Sequence, residues 1–268
     1  MIMKKEDVEL IIVTGKSGAG KQPRIDVLTG EFGLDQLSTG NIFREYLGIL
    51  KKTRLEIALS SFWDESKNDF IPDEEIKKIL ENEGNSDVQD LILGIKAKYF
   101  IEAGKFVPDK ITNSLFANYF KKYNYTGVVL DGYPRTNTQS QFLLNLLEKN
   151  NKTISFVLIV ENDDETIIQR ITGRRICPND GKVFHIKYKP PKDGKYCTEC
   201  DTEVVLRSDD NEENIKTRLL EFKNKTIPAL KVLEDAGIPI IKVPGNLPVF
   251  TDEKVRESVM NALSLILP

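Results

Sequence analysis

The sequence predicts an α/β fold, in which a parallel sheet carries helices on both faces. Short apolar runs rich in β-branched residues, typical of buried strands, alternate with longer segments of helical pattern. The first apolar run leads into a glycine-rich segment, and a helical pattern follows it. Strands separated by helices form parallel sheets, and such sheets bind ligands at the carboxyl ends of their strands.

Four segments are the expected strands of this sheet. The second of them ends directly before Asp131, which places this carboxylate at the edge where ligands bind. In chain order the four segments are residues 10–14, 127–130, 154–160 and 237–243.

The glycine-rich segment after the first strand matches the phosphate-binding pattern G-x-x-x-x-G-K from Gly15 to Lys21. Its glycines let the backbone wrap an anion, its N–H groups and the following helix dipole point at that anion, and Lys21 supplies a charge. The order strand, loop, helix favours a phosphate loop. A glycine-rich turn without a ligand is the alternative.

The end of this loop is unusual, because Gln22 and Pro23 stand where a hydroxyl residue is expected. Pro23 is compatible with a first helical turn, but an N–H group and a hydroxyl are lost to phosphate or to magnesium-bound water. One charge-assisted hydrogen bond contributes roughly 1.5–3 kcal/mol, which is on the order of tenfold to a hundredfold in affinity or rate. We expect Arg24 to restore part of the charge.

Composition and charge limit the classes of partner. The 268 residues include 38 basic and 41 acidic side chains, with a formal net charge of −3 and a pI near 5.5. Without a basic excess, neither nucleic acid nor a membrane surface is an expected partner. No segment has the apolar length of a membrane span, and the first residues are unlike a signal peptide, so we expect a cytoplasmic protein.

Three cysteines, an odd number, argue against a disulfide framework. Cys177-x2-Asp180 and, after sixteen residues, Cys197-x2-Cys200 have the spacing of a tetrahedral zinc site with three thiolates and one carboxylate. Protein atoms would fill all four positions, so the metal is expected to be structural. A metal-free cluster is the alternative.

Five motifs in order along nearly the whole chain resemble those of the adenylate kinase family. The glycine-rich loop is the first. The segment from Asp131 to Thr136, followed by Gln139, resembles the family's D-G-F-P-R-T. A third motif is the Ser-Thr-Gly-Asn segment 38–41 with Arg44. Residues 169–175 resemble the entry to the family's lid, and residues 207–210 with Arg218 resemble its exit.

The resemblance implies three parts. They are a P-loop core of residues 1–38, 107–172 and 207–268, a helical insertion of residues 39–106 that binds the nucleoside monophosphate, and a small zinc-ribbon-like lid of residues 173–206. The insertion is longer than is usual in the family. Its Phe-Ile-Pro-Asp at 70–73 recurs as Phe-Val-Pro-Asp at 106–109, a possible small duplication whose second copy is the candidate acceptor loop. Around Trp63, the insertion is either a solvated helical elaboration or a partner-binding surface.

The family's site residues are implied position by position. Arginine suits such a site, because its planar fork binds phosphate oxygens bidentately and stays charged. The implied catalytic residues are Lys21, Arg135, Arg174, Arg207 and Arg218. The implied ATP site consists of Gly18, Ala19, Gly20, Lys21, Gln22, Arg170, Arg174, Val183, Phe184 and Leu247, and the implied AMP site consists of Thr39, Arg44, Lys105, Val107, Gly132, Arg135, Gln139, Arg207 and Arg218.

Two further residues have expected roles. Asp131 would organise water around the Mg²⁺ that accompanies ATP. The lone histidine, His185, is interpreted as a packed or hydrogen-bonded lid residue rather than a general base. The attacking phosphate in this reaction is already ionised, so no proton has to be removed from it.

The expected function is therefore the reversible transfer of the terminal phosphoryl group of ATP to AMP, giving two ADP, by a monomer with Mg²⁺ and a structural Zn²⁺. Two alternatives stay open. Gln22, Pro23 and Asn41 depart from the family pattern and favour a catalytically weakened, nucleotide-binding regulatory protein. The sparse contacts expected for the donor base leave room for another nucleotide preference, such as GTP with AMP.

Overall fold

The computed structural model describes residues 5–53, 57–85, 88–102, 107–206, 210 and 212–267. Its strands are β1 (Leu10–Thr14), β2 (Asp35–Ser38), β3 (Trp63–Asp64), β4 (Asp69–Phe70), β5 (Val128–Asp131), β6 (Phe156–Glu161), β7 (Arg174–Ile176), β8 (Val183–His185) and β9 (Ile240–Pro244). Its helices are α1 (Lys21–Phe32), α2 (Thr39–Thr53), α3 (Asp73–Asn82), α4 (Val88–Glu102), α5 (Asp109–Phe120), α6 (Asn137–Lys149), α7 (Asp164–Thr172), α8 (Glu212–Glu221), α9 (Ile227–Asp235) and α10 (Asp252–Leu263).

Five strands form one parallel sheet in the order β2-β5-β1-β6-β9. The central strand β1 is buried along its whole length, as its β-branched run predicts. The carboxyl ends of β1 and β5, at Thr14 and Asp131, lie at the same edge of the sheet. The predicted α/β fold class is confirmed, and the glycine-rich loop begins at the ligand-binding edge.

Helices cover both faces of this sheet. Along β1, Leu10 and Ile12 belong to one apolar cluster, while Ile11 and Val13 belong to the other. The first cluster joins the sheet to α6, α9 and the helices of the insertion, and the second joins it to α1, α7 and α10. The insertion therefore packs into the same apolar core as the sheet.

The sheet differs most from the sequence-based expectation at two strands. Strand β2 is not marked by an apolar run, because Leu37 is its one buried residue at the edge of the sheet. Strand β9 begins at Ile240, three residues later than expected. Gly237, with φ of +82°, belongs to the turn that follows α9.

The segment around Trp63 is part of an aromatic cluster in the insertion. The Trp63 ring stacks on Tyr99 with centroids 4.6 Å apart, and it meets Phe70 and Phe100 edge-on at 5.1 and 5.9 Å. Strands β3 and β4 form a short antiparallel pair that sets Trp63 opposite Phe70. The cluster therefore fastens this hairpin to α4, which gives Trp63 a packing role.

The Pro-Asp part of the repeated Phe-x-Pro-Asp phrase has the same local structure in both copies, and Phe106 lies outside the described residues. Pro72 and Pro108 directly precede α3 and α5, with φ/ψ of −54°/142° and −57°/148°. Asp73 and Asp109 then occupy the first helical position. Proline lacks the N–H that a helix start leaves unpaired, and an acidic side chain suits the positive end of the helix dipole.

The cysteine segment has a small core of its own. Strands β7 and β8 pair antiparallel, and Cys177, Phe184, Cys197 and Val204 are buried together beneath them. Elsewhere, none of the helices in the described ranges is both long and apolar enough to cross a membrane.

Candidate active site

The glycine-rich loop connects β1 to α1 in the geometry of an anion cradle. Gly15, Gly18 and Gly20 have φ of +147°, +82° and +96°, a region that side chains disfavour. A Cβ on Gly15 would lie 2.5 Å from the carbonyl oxygen of Val160, so the loop passes directly against β6. Gly20 caps α1 without a side-chain hydrogen bond. The first backbone N–H groups of the helix therefore remain for an anion.

Lys21 folds back over this loop. Its Nζ donates hydrogen bonds to the carbonyl oxygens of Gly15 at 3.1 Å and Lys16 at 3.3 Å. Burial lowers the pKa of Lys21, the charge of Asp131 raises it, and the charge of Arg135 lowers it. The ammonium group is thus held above the loop and close to the carboxyl end of β5.

Pro23 lies inside the first turn of α1, and the helix continues through it to Phe32, as the sequence predicts. The neighbouring Arg24 contacts the loop from inside the protein. It is fully buried and donates to the carbonyl oxygens of Gly20 at 3.2 Å and Pro244 at 2.7 Å. The side chain thus joins the loop to the end of β9, and the expectation that its charge acts on a bound phosphate stays a prediction.

The backbone of Gly245, directly after β9, also lies against the loop. A Cβ on Gly245 would overlap the carbonyl oxygen of Ala19 and would lie 2.9 Å from that of Glu161. Glycine is the residue that lets the two backbones approach this closely. Arg170 lies over the same segment and donates to the Gly245 carbonyl oxygen at 3.1 Å and to Asn246 Oδ1 at 2.9 Å.

Residues after β5 lie at the same edge of the sheet as the glycine-rich loop. Gly132 has φ of +78°, and a Cβ there would lie 2.8 Å from Arg135 Nη2 and 3.0 Å from Thr39 Oγ1. The Gly132 carbonyl oxygen accepts from Arg135 Nε at 2.8 Å and from Thr39 Oγ1 at 3.2 Å. Burial lowers the pKa of Arg135, and the neighbouring Asp131 raises it. The structure thus brings together Thr39, Gly132 and Arg135 from the expected AMP site.

Gln139 is held next to these residues by a hydrogen-bond partner, Asp109, that the sequence analysis did not identify. Its Oε1 accepts from the Arg135 N–H at 2.7 Å, and its Nε2 donates to Asp109 Oδ1 at 2.7 Å. Asp109 also accepts from the hydroxyl of Thr136 at 2.6 Å. The repeated Phe-x-Pro-Asp phrase was the available signal, because Asp109 ends its second copy. Val107, two residues earlier, accepts from Thr112 at 3.5 Å.

Arg44 lies on the first turns of α2. Its guanidinium donates to Asn41 Oδ1, the residue that replaces the family's aspartate, and it approaches Gly40. Lys105 and Arg207, two other expected phosphate ligands, lie outside the described residues.

The arginines at the entry and exit of the lid segment meet at one carboxylate. Arg174 donates to Asp210 through Nε at 2.7 Å and Nη2 at 2.5 Å, in a bidentate pair. Arg218 Nη1 lies 3.8 Å from the same Asp210 side chain, which is fully buried. Asp210 therefore holds these two arginines side by side.

A cavity of 430 Å³ opens between the end of α7 and the lid hairpin, beside Arg170. Gln169, His185 and Tyr188 are among its lining residues. His185 Nδ1 accepts from the backbone N–H groups of Lys187 at 3.0 Å and Tyr188 at 3.1 Å, so its proton resides on Nε2, 3.4 Å from the Gln169 carbonyl oxygen. Burial lowers the pKa of His185, helped by nearby cationic side chains. This is a hydrogen-bonded lid residue, as interpreted from the sequence.

The other expected ATP ligands lie on β8, after β9 and on α1. Val183 is exposed on β8, whereas the Phe184 side chain is buried in the lid core, so a nucleotide would meet the backbone of Phe184. Leu247 is half-buried in the segment after β9. Gln22 contacts Gln36 on β2 through its side chain, which leaves its backbone N–H as the group toward the loop.

The cysteine cluster has the spacing of a metal site. In a tetrahedral zinc site of this type, ligand atoms lie roughly 3.5–3.8 Å apart. Here Cys177 and Cys200 Sγ are 3.5 Å apart, and Asp180 Oδ2 lies 3.2 Å from Cys197 Sγ and 3.5 Å from Cys200 Sγ. All four ligand atoms lie within 4.8 Å of one another. The donor set can hold a metal ion, and three thiolates with one carboxylate suit zinc.

Comparison with known proteins agrees with this geometry. A family model described as adenylate kinase matches residues 85–238. The adenylate kinase of Clostridium botulinum is 32% identical over 229 residues, which cover 85% of this chain and 88% of the relative. The chain belongs to the adenylate kinase family. The adenylate kinase of Symbiobacterium thermophilum is 30% identical over 240 residues, covering 89% and 92% of the two chains, and that of Clostridium perfringens is 31% identical over 221 residues, covering 82% and 84%.

The resemblance noted from the motifs is thereby confirmed. The family model begins after the glycine-rich loop of this adenylate kinase family member, so the unusual Gln22 and Pro23 lie outside the matched segment. The matched segment does include Asp131, Arg135 and the lid.

Proposed function

We propose that the protein transfers the terminal phosphoryl group of ATP to AMP, reversibly, to give two ADP. One observation carries the proposal. Lys21 folds over the glycine-rich loop at the end of β1, and Arg135 is hydrogen-bonded to Gly132 directly after β5, the parallel neighbour of β1. One site therefore combines a cradle for a triphosphate with a cation for a second phosphate.

The reaction balances without a general base. A phosphate oxygen of AMP attacks the γ-phosphorus of ATP, a new P–O–P bond forms, and the bond to the β,γ-bridging oxygen breaks so that ADP leaves. Lys21 and the arginines stabilise charge on the transferred group and orient both nucleotides. His185 is not needed as a base, and its Nδ1 already accepts two backbone hydrogen bonds within the lid.

On the donor side, we assign the triphosphate to the loop of Gly18, Ala19, Gly20 and Gln22, through N–H groups other than that of Ala19, which bonds to the Lys16 carbonyl oxygen. Arg174 and Arg218, held by Asp210, would contribute charge from the entry and exit of the lid, together with Arg207. The 430 Å³ cavity beside Arg170 is the candidate for the donor nucleoside, because His185 and Tyr188 offer it ring surfaces. Backbone at Val183, Phe184 and Leu247 would complete it.

On the acceptor side, we assign the AMP phosphate to Arg44 and Arg135, with Lys105, Arg207 and Arg218. In this structure, Asn41 Oδ1 accepts a hydrogen bond from the Arg44 guanidinium. A bound phosphate would have to replace Asn41 as the acceptor. Thr39, Val107, Gly132 and Gln139 would line the base pocket. Asp109 fixes the orientation of the Gln139 amide there.

Two metals belong to the proposal. Magnesium supplies charge neutralisation between the donor phosphates, and Asp131 is the carboxylate at this edge that can accept from its bound water. Zinc in the cluster of Cys177, Asp180, Cys197 and Cys200 would stabilise a lid whose own core is small.

We extend the proposal to the organisation of the molecule. Residues 1–38, 107–172 and 207–268 form the core, 39–106 the AMP-binding insertion and 173–206 the lid, and closure of the last two over the nucleotides would exclude water. A monomer suffices, since one chain carries residues for both substrates. Three cysteines that serve as zinc ligands rather than forming disulfides suit a reducing, cytoplasmic compartment.

Chromatographic analysis of the full-length protein with Mg²⁺, either ATP or GTP, and each nucleoside monophosphate in turn tests this function. ADP formation with AMP, lost in Arg135→Met, is the expected result. Transfer from GTP in preference to ATP would replace the proposed donor. Tight binding of ATP with no transfer to any monophosphate would contradict the enzyme and favour a regulatory protein.

A further inference from the structure

Two glutamines link the first turn of α1 to the carboxylate at the end of β5. Gln22 and Gln36 hydrogen-bond reciprocally through their side-chain amides, from Gln22 Nε2 to Gln36 Oε1 at 2.8 Å and from Gln36 Nε2 to Gln22 Oε1 at 3.2 Å. Each amide nitrogen has a second hydrogen, and a carboxylate accepts it. Gln22 Nε2 donates to Asp26 Oδ1 at 2.9 Å, and Gln36 Nε2 donates to Asp131 Oδ2 at 3.3 Å.

The four side chains fix one another's orientation. Ionised carboxylates only accept hydrogen bonds, so each amide must turn its nitrogen toward its carboxylate. Flipping either glutamine would set its oxygen against a carboxylate oxygen and would also break the reciprocal pair. All four N–H hydrogens of the two amides are used in the observed arrangement.

The fold brings these residues together from three elements. Gln22 and Asp26 are four residues apart on α1 and therefore share one face of the helix. Gln36 lies on β2 two residues before Ser38, which is the register partner of Asp131 on β5. Side chains two residues apart on a strand point to the same face, so Gln36 reaches Asp131 diagonally across the β2–β5 pair.

We propose that Gln22 and Gln36 are positioning residues, which hold the Asp131 carboxylate in place for the hydrated magnesium ion of the donor nucleotide. This inference rests on the proposed function. In the pattern G-x-x-x-x-G-K-[ST], a hydroxyl joins the start of the helix directly to magnesium. Here Gln22 and Pro23 replace that region, and the helix start reaches the magnesium region through two amides and Asp131 instead.

The chemistry of an amide suits this task. Asp131 lies near the cationic side chains of Lys21 and Arg135, either of which would attract a carboxylate that is allowed to rotate. An ion pair with Lys21 would compete with the donor phosphates for the ammonium group. A neutral amide donor restrains Asp131 without cancelling its charge, and so leaves both the carboxylate and Lys21 for the nucleotide.

Calorimetric titration of full-length protein with ATP, first with EDTA and then with Mg²⁺, tests the inference directly. In Gln36→Met, we expect unchanged affinity for metal-free ATP; for Gln22→Met, which keeps the backbone N–H assigned to the triphosphate, the affinity of the variant itself for metal-free ATP is the reference. The gain in affinity on adding Mg²⁺ should fall by about twofold to tenfold, the equivalent of one hydrogen bond. Gln141→Met makes the same chemical change at an exposed glutamine on α6 and should leave both affinities unchanged.

Combined variants show whether the effect passes through Asp131. The double variant of Gln22 and Gln36 should lose no more than Gln36→Met alone, and Gln22→Met should have no effect in an Asp131→Asn background. In turnover, the Mg²⁺ concentration for half-maximal rate should rise while the KM for AMP is unchanged. A Mg²⁺-linked affinity equal to that of Gln141→Met, or an effect that persists beside Asp131→Asn, would overturn the inference.

The binding experiment also separates the two proposals. A wild-type protein that binds ATP with a Mg²⁺-dependent gain but transfers no phosphoryl group would contradict the proposed function, and the glutamine variants would still report on Asp131. An active wild type with unaltered Mg²⁺ linkage in both variants would contradict the inference alone.

Discussion

The contact between Gly245 and the phosphate loop is the steric constraint that the structure defines most sharply. Replacing Gly245 by alanine would add a Cβ that overlaps the carbonyl oxygen of Ala19 and lies 2.9 Å from that of Glu161. Both obstacles are backbone atoms, and both segments are held by hydrogen bonds. Ala19 N–H donates to Lys16 at 3.0 Å, and Gly245 N–H donates to Glu161 at 2.6 Å. The two backbones therefore have to separate.

The size of the effect follows from this geometry. Relieving the overlap requires a shift of about 1 Å, and overpacking of this kind costs about 1–3 kcal/mol. For a chain of this size we expect the unfolding midpoint to fall by about 2–12 °C. The same shift moves the donor loop relative to the acceptor side, and a misplacement of 1 Å can cost about 100-fold in kcat/KM.

Thermal unfolding and donor kinetics of Gly245→Ala check both numbers against a matched control. Gly30 lies on α1 with nothing within 4 Å of an added Cβ, so Gly30→Ala should stabilise the helix by about 0.5–1 kcal/mol and leave catalysis unchanged. If Gly245→Ala unfolded at the same temperature as Gly30→Ala and retained the wild-type kcat/KM for ATP, the packing of these backbones would be refuted.

Three further outcomes are expected. Asp210→Asn should lower the free energy of unfolding in urea by about 2–3 kcal/mol, because it breaks the bidentate pair of a fully buried carboxylate with Arg174; an unchanged midpoint would contradict this. Elemental analysis should find about one zinc per chain, and a chelator or Asp180→Asn should lower the unfolding midpoint, whereas a metal-free protein of equal stability would rule the zinc site out. The pKa of His185 is lowered in the folded state, so as the pH falls the unfolded chain takes up a proton on this histidine before the folded protein does. The stability that the neutral His185 contributes is therefore present above about pH 6.5 and is lost as the pH falls through the folded-state pKa. His185→Gln should remove this part of the pH dependence of unfolding, and an identical profile would refute it.

The sequence predicts this fold well where one residue pattern determines one structure. The β-branched run of β1, the following glycines and the helix at Lys21 are local signals that agree with one another, and all three are observed. Strand β2 has no such signal, because its single buried residue, Leu37, is too little for a pattern. Pairing with β5 defines it instead.

The site could be predicted as a set of residue types but not as a set of contacts. Motifs indicate that Arg135 and Gln139 belong together, yet the Asp109 carboxylate that fixes Gln139 comes from a helix 30 residues earlier in the chain. Arg24 shows the same limit, since its place in the sequence suggests a phosphate ligand while its side chain turns toward Pro244. Side-chain direction depends on packing between distant segments, which the local sequence does not encode.

Phosphorus NMR of full-length protein, started from ADP and Mg²⁺ alone, tests the central claim most directly. Disproportionation requires two nucleotide sites that face each other across one transferred phosphoryl group, with Lys21 at the donor loop and Arg135 opposite. We expect ATP and AMP to appear in equal amounts, and this conversion to be lost in Lys21→Ala. Persistence of ADP in the wild-type sample, or release of inorganic phosphate in place of ATP, would contradict the account.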